Sequence, residues 1–207
     1  MIKNTRNVYL HRLKFLQSAR RCGPHRVLLG LGANIAGTWG RPQQTLARAL
    51  AELSQLGLEP LARSRLVRSR PVGGGRQPDF LNAVVMIEAR LPPAALLRRL
   101  KQLERAAGRR PGRRWGPRPL DIDILDYAGR RLGWPGGQGS RLTLPHPDMH
   151  RRAFVLAPLI EVAPHWHHPV FGATAQALLR RLGCQGRRAF AANPLISWPT
   201  HATNASE

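Results

Sequence analysis

The stretch FLNAVVMIEARLPPAALLRRLKQLERAAG, residues 80–108, contains the pattern of one strand followed by one helix. In its first part, alternate residues share an apolar face, which is the period of a strand with one side buried. Pro92 and Pro93 then open a segment in which leucines recur every three or four residues, as in an amphipathic helix. Gly108 is a typical stop for such a helix. The stretch therefore predicts a strand and a helix that share one core.

Similar elements lie on both sides of this unit. VLLGLGAN, residues 27–34, reads as a strand, and apolar residues at positions 46–56 fall on one helical face. Residues 58–69 read as one extended segment, and PLDIDILDY, residues 119–127, alternates with period two. The order strand, helix, strand, strand, helix, strand is that of a ferredoxin-like fold. We therefore expect an α+β protein with a βαββαβ core, whose antiparallel sheet carries packed helices in a three-layer α/β/α sandwich.

The chain is expected to have three parts. Residues 1–25 hold six basic residues and no acid, the composition of a transit peptide, of a nucleic-acid-binding arm, or of a leader added by an upstream start codon. We expect this basic extension to be disordered. Residues 26–192 form the folded domain, with further helices starting at Asp148 and covering residues 173–182. Residues 193–207 show no periodicity and are expected to be a loose tail.

Charge and cysteine content limit the possible environments. There are 33 Lys+Arg against 11 Asp+Glu, a net charge of +22, and 30 of the basic residues are arginines, which suit bidentate contacts to phosphate. Anionic ligands are therefore expected. No apolar run reaches the roughly 18 to 20 residues of a membrane span. Cys22 and Cys184 form no C-x-x-C motif, which argues against a disulfide framework or a thiolate zinc site and favours a reducing cytosol.

The acid pair Asp121 and Asp123 interrupts an apolar strand. Alternate residues point to the same side, so the two carboxylates lie roughly 7 Å apart, while Leu120, Ile122 and Ile124 face the core. Like charges so placed repel unless a cation lies between them, and carboxylates suit Mg²⁺ ions that also hold substrate phosphates. The pair predicts a two-metal phosphoryl-transfer site. Two solvent-facing acids that pair with arginines are the alternative.

Basic residues flank this acid pair on both sides. RRPGRRWGPR, residues 109–118, holds five arginines, and its glycines would allow it to close as a lid over substrates. A solvated loop or an RNA-binding patch is the alternative reading. Downstream, Arg141, His146 and Arg152 are candidates to bind an anionic nucleotide, and Phe154 is a candidate to stack on a flat ring.

Missing motifs and one histidine run narrow the chemistry further. No G-x-x-x-x-G-K-[ST] motif occurs, and Lys101 is the only lysine after residue 25, which argues against a P-loop NTPase and a protein kinase. HWHHP, residues 165–169, holds three histidines between prolines. We expect this run to be a loop rather than a metal site.

Four segments together resemble the 6-hydroxymethyl-7,8-dihydropterin pyrophosphokinase family. They are LLGLGAN, RPVGGGRQPDFLNAV, RRWGPRPLDIDIL and LTLPHPDMHRRAFVLAPLIEVAP, in this order, and the resemblance spans residues 27–182. It implies the ferredoxin-like fold and a role in folate biosynthesis. The implied reaction transfers an intact pyrophosphoryl group from MgATP, the co-substrate, to the pterin's hydroxymethyl oxygen, giving AMP and the pterin diphosphate. Asp121 and Asp123 would then hold two Mg²⁺ ions.

The resemblance also implies roles for individual residues. Pterin contacts are implied for Ser69, Arg70, Val72, Phe80, Asn82, Trp115 and Phe154. Nucleotide contacts are implied for Lys101, Glu104, Arg118, Ile124, Arg141, Thr143, His146 and Arg152. Trp115 and Arg118 match a mobile loop that closes over the substrates, with Arg109 or Arg113 as a phosphate clamp. This chain departs from the family pattern in a loop about one residue shorter and in Lys101, where glutamine is common.

Two other hypotheses are weaker. A basic RNA-binding protein would suit the charge and a ferredoxin-like sheet, but the acids of residues 119–127 would repel RNA. A catalytically silent relative is disfavoured because Asp121, Asp123, Trp115 and His146 are all present. We therefore expect a monomeric cytoplasmic enzyme that acts on ATP and the pterin, with no specific nucleic acid and no membrane as partner.

Overall fold

A computed structural model describes residues 23–71, 76–112, 116–134 and 142–199, so residues 1–22 of the expected basic extension lie outside it. Its strands are β1 His25–Ala33, β2 Pro60–Arg63, β3 Leu66–Ser69, β4 Phe80–Ala89, β5 Asp121–Tyr127 and β6 Phe190–Ile196. Its helices are α1 Pro42–Gln55, α2 Pro93–Ala106, α3 Ala153–Val162, α4 Ala175–Arg181 and α5 Gly183–Arg188, with a short 3₁₀ helix at Met149–Arg151.

The strands form one antiparallel sheet in the order β5, β1, β4, β3, β6. β2 pairs with β4 next to β3. The central strand β1 lies between β4 and β5, two consecutive strands that are connected through α2. The predicted ferredoxin-like βαββαβ arrangement is confirmed.

Side chains that alternate along the central strands build a core on each face of the sheet. Val27, Leu29 and Leu31 of β1 pack in a first core with α1 and α2, whereas Leu28 belongs to a second core with α3 and α4. The predicted inward set Leu120, Ile122 and Ile124 lies in the first core. Helices therefore cover both faces, and the expected three layers are confirmed.

The extended segment expected at residues 58–69 is two strands, β2 and β3, with a break at Ser64. The Ser64 side chain is buried, and its hydroxyl accepts a hydrogen bond from the backbone N–H of Val84 at 3.0 Å. This side-chain bond replaces a backbone bond of the ladder, so the strand is interrupted there. The apolar pattern of the segment does not indicate that a side-chain hydrogen bond replaces a backbone one at Ser64.

The helix expected from Asp148 begins instead at Ala153. Residues 149–151 form the 3₁₀ helix, and Arg152 is in an extended conformation with φ −112° and ψ 100°, which separates the two helices. The backbone N–H of Asp148 donates to Nδ1 of His146 at 3.1 Å, a local bond that fixes the turn before the helix.

The expectation of a loose tail from residue 193 is wrong for residues 193–196. Residues 193–196 belong to β6, which pairs with β3, and Trp198 donates from Nε1 to the backbone oxygen of Ser64 at 2.7 Å. The Arg63 guanidinium lies 5.1 Å from the centre of the Trp198 ring. Pairing with β3 holds β6 in place, so β6 forms a strand without an amphipathic pattern in its own sequence. Among the described residues, no helix is long and apolar enough to cross a membrane.

Candidate active site

A cleft of about 420 Å³ lies on the sheet face that carries α3. Eleven residues assigned to binding or catalysis from the sequence line it together: Ser69, Arg70, Phe80, Asn82, Lys101, Arg109, Arg118, Asp121, Asp123, Arg152 and Phe154. They come from β3, β4, α2, β5 and α3 and from the loop before β5. The fold therefore brings most of the predicted residues to one place.

The open floor of the cleft follows from the pairing of β1 with β5. Gly32 lies opposite Asp121, and Gly30 lies opposite Asp123. Both glycines lack a side chain, so no side chain of β1 lies directly opposite the two carboxylates. A Cβ atom on Gly32 would lie 3.3 Å from Oδ1 of Asn82, which is tighter than an ordinary contact.

The Asp121 carboxylate is paired with two arginines. Arg118 donates from Nη1 to Oδ2 at 2.7 Å, and Arg109 donates from Nη1 to Oδ1. Burial by itself would raise the pKa of Asp121, but the charges of Arg109 and Arg118 outweigh it and the pKa is lowered. Asp121 is therefore held in its ionised form.

The Asp123 carboxylate is more open. Its side chain is 33% exposed, and among the described residues its nearest basic groups are Nε2 of His146 at 3.8 Å and Nη1 of Arg152 at 4.0 Å. Because Nδ1 of His146 accepts the hydrogen bond from Asp148, the neutral imidazole carries its proton on Nε2, on the side of Asp123. Burial is the main cause that lowers the pKa of His146, with a further contribution from Arg152.

Glu104 lies behind the cleft wall rather than on it. It is 2% exposed, and its Oε1 accepts hydrogen bonds from Lys101 Nζ at 2.7 Å and from the backbone N–H of Ile122 at 2.7 Å. The same Oε1 forms an ion pair with Arg109 Nη1 at 2.8 Å. Burial raises the pKa of Glu104 against the opposing effect of these partners. The side chain reaches the cleft only through the two basic residues that it binds.

Several predicted residues do not line the cleft. The side chain of Ile124 lies in the first core on the opposite face, and Thr143 donates weakly to the backbone oxygen of Gly133 at 3.5 Å. His146 lies next to Asp123 without lining the cleft. Val72, Arg113, Trp115 and Arg141 lie outside the described residues. The nucleotide and pterin contacts implied for these residues stay predictions.

The other half of the cleft is less polar. Phe80 from β4 and Phe154 from α3 line it together with Asn82. The Asn82 side-chain nitrogen donates to Oγ of Ser69 at 2.9 Å and to the backbone oxygen of Val67 at 3.3 Å. These bonds fix the amide and leave its oxygen as the acceptor for a ligand.

Sequence reasoning missed Asn34, which joins two segments that border the cleft. This buried side chain donates to Oε1 of Gln77 at 3.2 Å and to the backbone oxygen of Pro78 at 3.1 Å. Its Oδ1 accepts from the backbone N–H of Arg118 at 2.8 Å, and its own N–H donates to the Arg118 oxygen at 3.1 Å. An asparagine directly after an apolar strand was the available signal, since a buried amide must be hydrogen-bonded. Asp148, which also lines the cleft, was missed as well.

The histidine run at residues 165–169 lies away from this cleft. His165 and His167 are exposed, whereas His168 is fully buried, and its ring stacks on Phe171 with centres 4.3 Å apart. Burial, followed by His150 and Arg131, lowers the pKa of His168 to about 4. Within the described part of the chain, no three His, Cys, Asp or Glu side chains lie close enough to hold a metal ion.

Comparison with known proteins agrees with the geometry of the cleft. A family model described as 7,8-dihydro-6-hydroxymethylpterin-pyrophosphokinase (HPPK) matches residues 28–164. The chain belongs to the HPPK family. The matched range contains every cleft residue named above and ends just after α3.

Relatives in the HPPK family cover most of the chain. One is the 2-amino-4-hydroxy-6-hydroxymethyldihydropteridine pyrophosphokinase of Synechocystis sp., 40% identical over 161 residues, which is 77% of this chain and 77% of the relative. The protein of the same name from Methylorubrum extorquens is 41% identical and covers 78% of this chain and 96% of its own length. That of Haemophilus influenzae is 43% identical, covering 65% and 79% respectively.

A solved structure shares the fold. Plasmodium falciparum HPPK-DHPS, crystallised with pteroate, is 13% identical, with a TM-score of 0.60 and coverage of 83% of this chain. At that identity the likeness concerns the fold alone. The chain spans less than half of the length of that protein, 47%.

The acid pair of this HPPK member suits Mg²⁺ better than a metal held by protein ligands alone. Asp121 and Asp123 supply hard oxygen donors on one face of β5. With no third acidic, histidine or cysteine ligand grouped with them in the described segments, the remaining positions fall to water and phosphate oxygens. Mg²⁺ is commonly bound in this way, through one or two carboxylates and substrate phosphates.

Proposed function

We propose that this HPPK-family chain transfers an intact pyrophosphoryl group from ATP to the hydroxymethyl oxygen of 6-hydroxymethyl-7,8-dihydropterin. The products are AMP and the pterin diphosphate, and the reaction belongs to folate biosynthesis. One observation carries the proposal. A single cleft joins a half that holds paired carboxylates and basic side chains to a half that holds two phenylalanines and a fixed amide.

The charged half suits a polyphosphate. Lys101, Arg109, Arg118 and Arg152 line it, and guanidinium groups bind phosphate oxygens through bidentate hydrogen bonds. Phosphoryl transfer depends mainly on positioning and on stabilisation of negative charge. The basic side chains would hold the triphosphate with its β-phosphorus towards the second substrate.

Asp121 and Asp123 would hold the two Mg²⁺ ions of the proposal. When bound, such ions neutralise charge on the triphosphate and help to orient it. The lowered pKa of Asp121 keeps that carboxylate ionised, and the open position of Asp123 leaves its oxygens accessible.

The apolar half suits a flat heterocycle. Phe80 and Phe154 offer aromatic surface, and the fixed oxygen of Asn82 accepts a hydrogen bond from a ring N–H. Holding both substrates in one cleft turns an encounter of two molecules into a reaction between neighbours. The hydroxymethyl oxygen bonds to the β-phosphorus, the bond from that phosphorus to the α,β-bridging oxygen breaks, and AMP leaves with that oxygen while the hydroxyl proton is lost.

Product analysis tests the proposal. ATP and Mg²⁺ are incubated with the full chain, with and without 6-hydroxymethyl-7,8-dihydropterin, and the nucleotide products are separated. We expect AMP that depends on the pterin, and none from an Asp121→Ala, Asp123→Ala double variant. Glu161→Gln is the control, because Glu161 pairs with Arg65 outside the cleft. Formation of ADP would mean ordinary kinase chemistry, and no turnover would refute the proposal.

The proposed enzyme is a cytoplasmic monomer that needs no nucleic acid. A cleft lined by side chains of one chain supports the monomeric state, because both halves of the site come from the same molecule. Sedimentation of the active protein, with and without added RNA, measures the assembly state. A stable dimer or an RNA complex under assay conditions would contradict this part of the proposal.

A further inference from the structure

We infer that Arg109 caps Asp121 in the resting enzyme, and that Glu104 and Lys101 are positioning residues that hold Arg109 there and allow it to leave when a nucleoside triphosphate binds. The inference rests on the proposed function, because it concerns the carboxylate assigned to a metal ion. It explains why two basic residues share one buried carboxylate directly behind the cleft wall.

The cap is visible in the bonds of Asp121. Both of its oxygens accept guanidinium hydrogen bonds, Oδ1 from Arg109 and Oδ2 from Arg118. Asp123, two residues on, has no basic group closer than 3.8 Å among the described residues. A cation that binds Asp121 must therefore compete with an arginine already in place, whereas Asp123 is open.

Arg109 is the arginine whose side chain we infer to move, while its backbone N–H stays bonded to the backbone oxygen of Glu104 at 2.9 Å. Arg118 is fixed through its backbone, where both N–H and C=O bond to Asn34, and its Nε donates to the oxygen of Gly116 at 3.1 Å. The guanidinium of Arg109 is held through Nη1, by Asp121 and by Glu104 at 2.8 Å. Arg109 also lines the cleft, where triphosphate oxygens offer it a stronger anionic partner.

Lys101 makes that departure possible. Glu104 is buried, and a buried carboxylate that loses its only cation is strongly destabilising. Lys101 Nζ lies 2.7 Å from the same Oε1 and the N–H of Ile122 bonds to it at 2.7 Å, so Glu104 keeps a cation and a donor after Arg109 leaves. Without Lys101, Arg109 would be the sole basic partner of Glu104 in the described structure and would be held more tightly.

The arrangement couples the nucleotide to the metal ion. Without nucleotide, a divalent cation has to displace Arg109 and binds weakly. A triphosphate draws Arg109 away, frees Oδ1 of Asp121 while Arg118 stays on Oδ2, and so strengthens cation binding. By linkage the cation strengthens nucleotide binding by the same factor.

Binding of Mn²⁺ to the full chain without nucleotide tests the cap. Free Mn²⁺ is followed by electron paramagnetic resonance for the wild type, Arg109→Gln and Arg110→Gln. Arg110 is exposed and adjacent, so its variant removes the same charge without touching the cap. We expect at least tenfold tighter Mn²⁺ binding in Arg109→Gln and less than threefold in Arg110→Gln. Equal effects in both variants would overturn the inference.

For Lys101→Gln, the inference and simple electrostatics predict opposite changes in the affinity for Mn²⁺. Removing a positive charge near the site should tighten Mn²⁺ binding by Coulomb attraction alone. The inference predicts binding at least threefold weaker, because Arg109 is then retained by Glu104, and predicts that Lys101→Arg restores the wild-type value. In the Arg109→Gln background, Lys101→Gln should no longer weaken binding. Tighter binding in the single variant would refute the role of Lys101.

The same preparations separate this inference from the proposed function. Mn²⁺ titrations are repeated with α,β-methylene ATP, and we expect at least tenfold tighter Mn²⁺ binding to the wild type, with a smaller gain in Lys101→Gln. Pterin-dependent AMP formation is measured in parallel. AMP formation without the Arg109 effect would overturn the cap alone, whereas the Arg109 effect without AMP formation would overturn the proposed reaction and leave the cap standing.

Discussion

The two ends of β5 shift the pKa of an aspartate in opposite directions. At the cleft end, Arg109 and Arg118 surround Asp121 and its pKa is lowered in spite of burial. At the other end, Asp126 is 6% exposed and accepts from Trp166 Nε1 at 3.2 Å and from the N–H of Gly129 at 3.3 Å. Burial outweighs these bonds and raises the pKa of Asp126. The direction in which an aspartate pKa shifts along one strand is therefore set by the elements packed against it.

The surroundings of Asp126 are aromatic rather than basic. The Trp166 ring that bonds to Asp126 also packs edge-on against His168, with ring centres 5.6 Å apart, and His150 lies 6.0 Å from His168. Oδ1 of Asp126 and Nε2 of His168 have no hydrogen-bond partner among the described residues. This end of the strand suits neutral groups, and the cleft end suits charged ones.

The largest predicted difference between the two ends is catalytic. Asp123→Asn should lower kcat for pterin-dependent AMP formation at least about a thousandfold, a barrier increase of about 4 kcal/mol, because a proposed metal ligand is lost. Asp126→Asn should leave kcat within about twofold, since this carboxyl lies outside the cleft. Steady-state kinetics of both variants checks the contrast. A loss in Asp126→Asn as large as in Asp123→Asn would break the comparison.

The next effect is a loss of stability in acid from His168. Its pKa in the folded state, about 4, lies below that of an unfolded histidine, so its stabilising contribution is present above pH 6.5 and is lost as the pH falls towards 4. The contribution is up to about 3 kcal/mol. Urea unfolding between pH 7 and pH 4.5 should show a shallower acid loss for His168→Asn, which keeps an acceptor at the Nδ1 position. His167→Asn is the exposed control, and a slope equal to that of His168→Asn would contradict the prediction.

A smaller effect is expected at Asn34, which ties the cleft end together. Asn34→Ala removes the side-chain bonds to Arg118, Gln77 and Pro78. We expect a stability loss of about 2 kcal/mol and a loss in kcat/KM of about tenfold, well below the melting temperature, because Arg118 is less well positioned. Gln55→Ala on the exposed side of α1 is the control. Activity that fell only in proportion to the unfolded fraction would mean a purely structural role.

The smallest effect concerns the pH dependence of Asp126. Because the folded-state pKa is raised, the neutral carboxyl stabilises the fold fully below the unfolded pKa, and this contribution is lost as the pH rises through the folded value. The stability of Asp126→Asn relative to the wild type should therefore increase from pH 4 to pH 8, in the opposite direction to the His168 effect. Urea unfolding of both proteins measures it. A difference that does not change with pH would show that folding does not raise the pKa of Asp126.

The sequence predicts the parts of this molecule that depend on local patterns. The alternation around Ile122 and the leucine spacing in residues 93–106 predict β5 and α2. Most of the residues that motif similarity assigns to binding line one cleft. The break at Ser64 depends on a side chain that replaces a backbone bond across the sheet. The cap on Asp121 depends on distances between α2 and β5. Neither feature leaves a trace in hydrophobic periodicity.

The position of β6 has a consequence for shortened forms of the chain. β6 covers the outer edge of β3, and it lies beyond the 28–164 range matched by the family model. Next to this pairing, the N–H of Arg70 donates to the Ala189 oxygen at 2.9 Å. A fragment that stopped before residue 190 would present β3 as a bare edge, and such edges pair with the edges of other molecules. The last strand therefore protects the sheet against aggregation, and fragments that lack it should lose solubility before they lose their secondary structure.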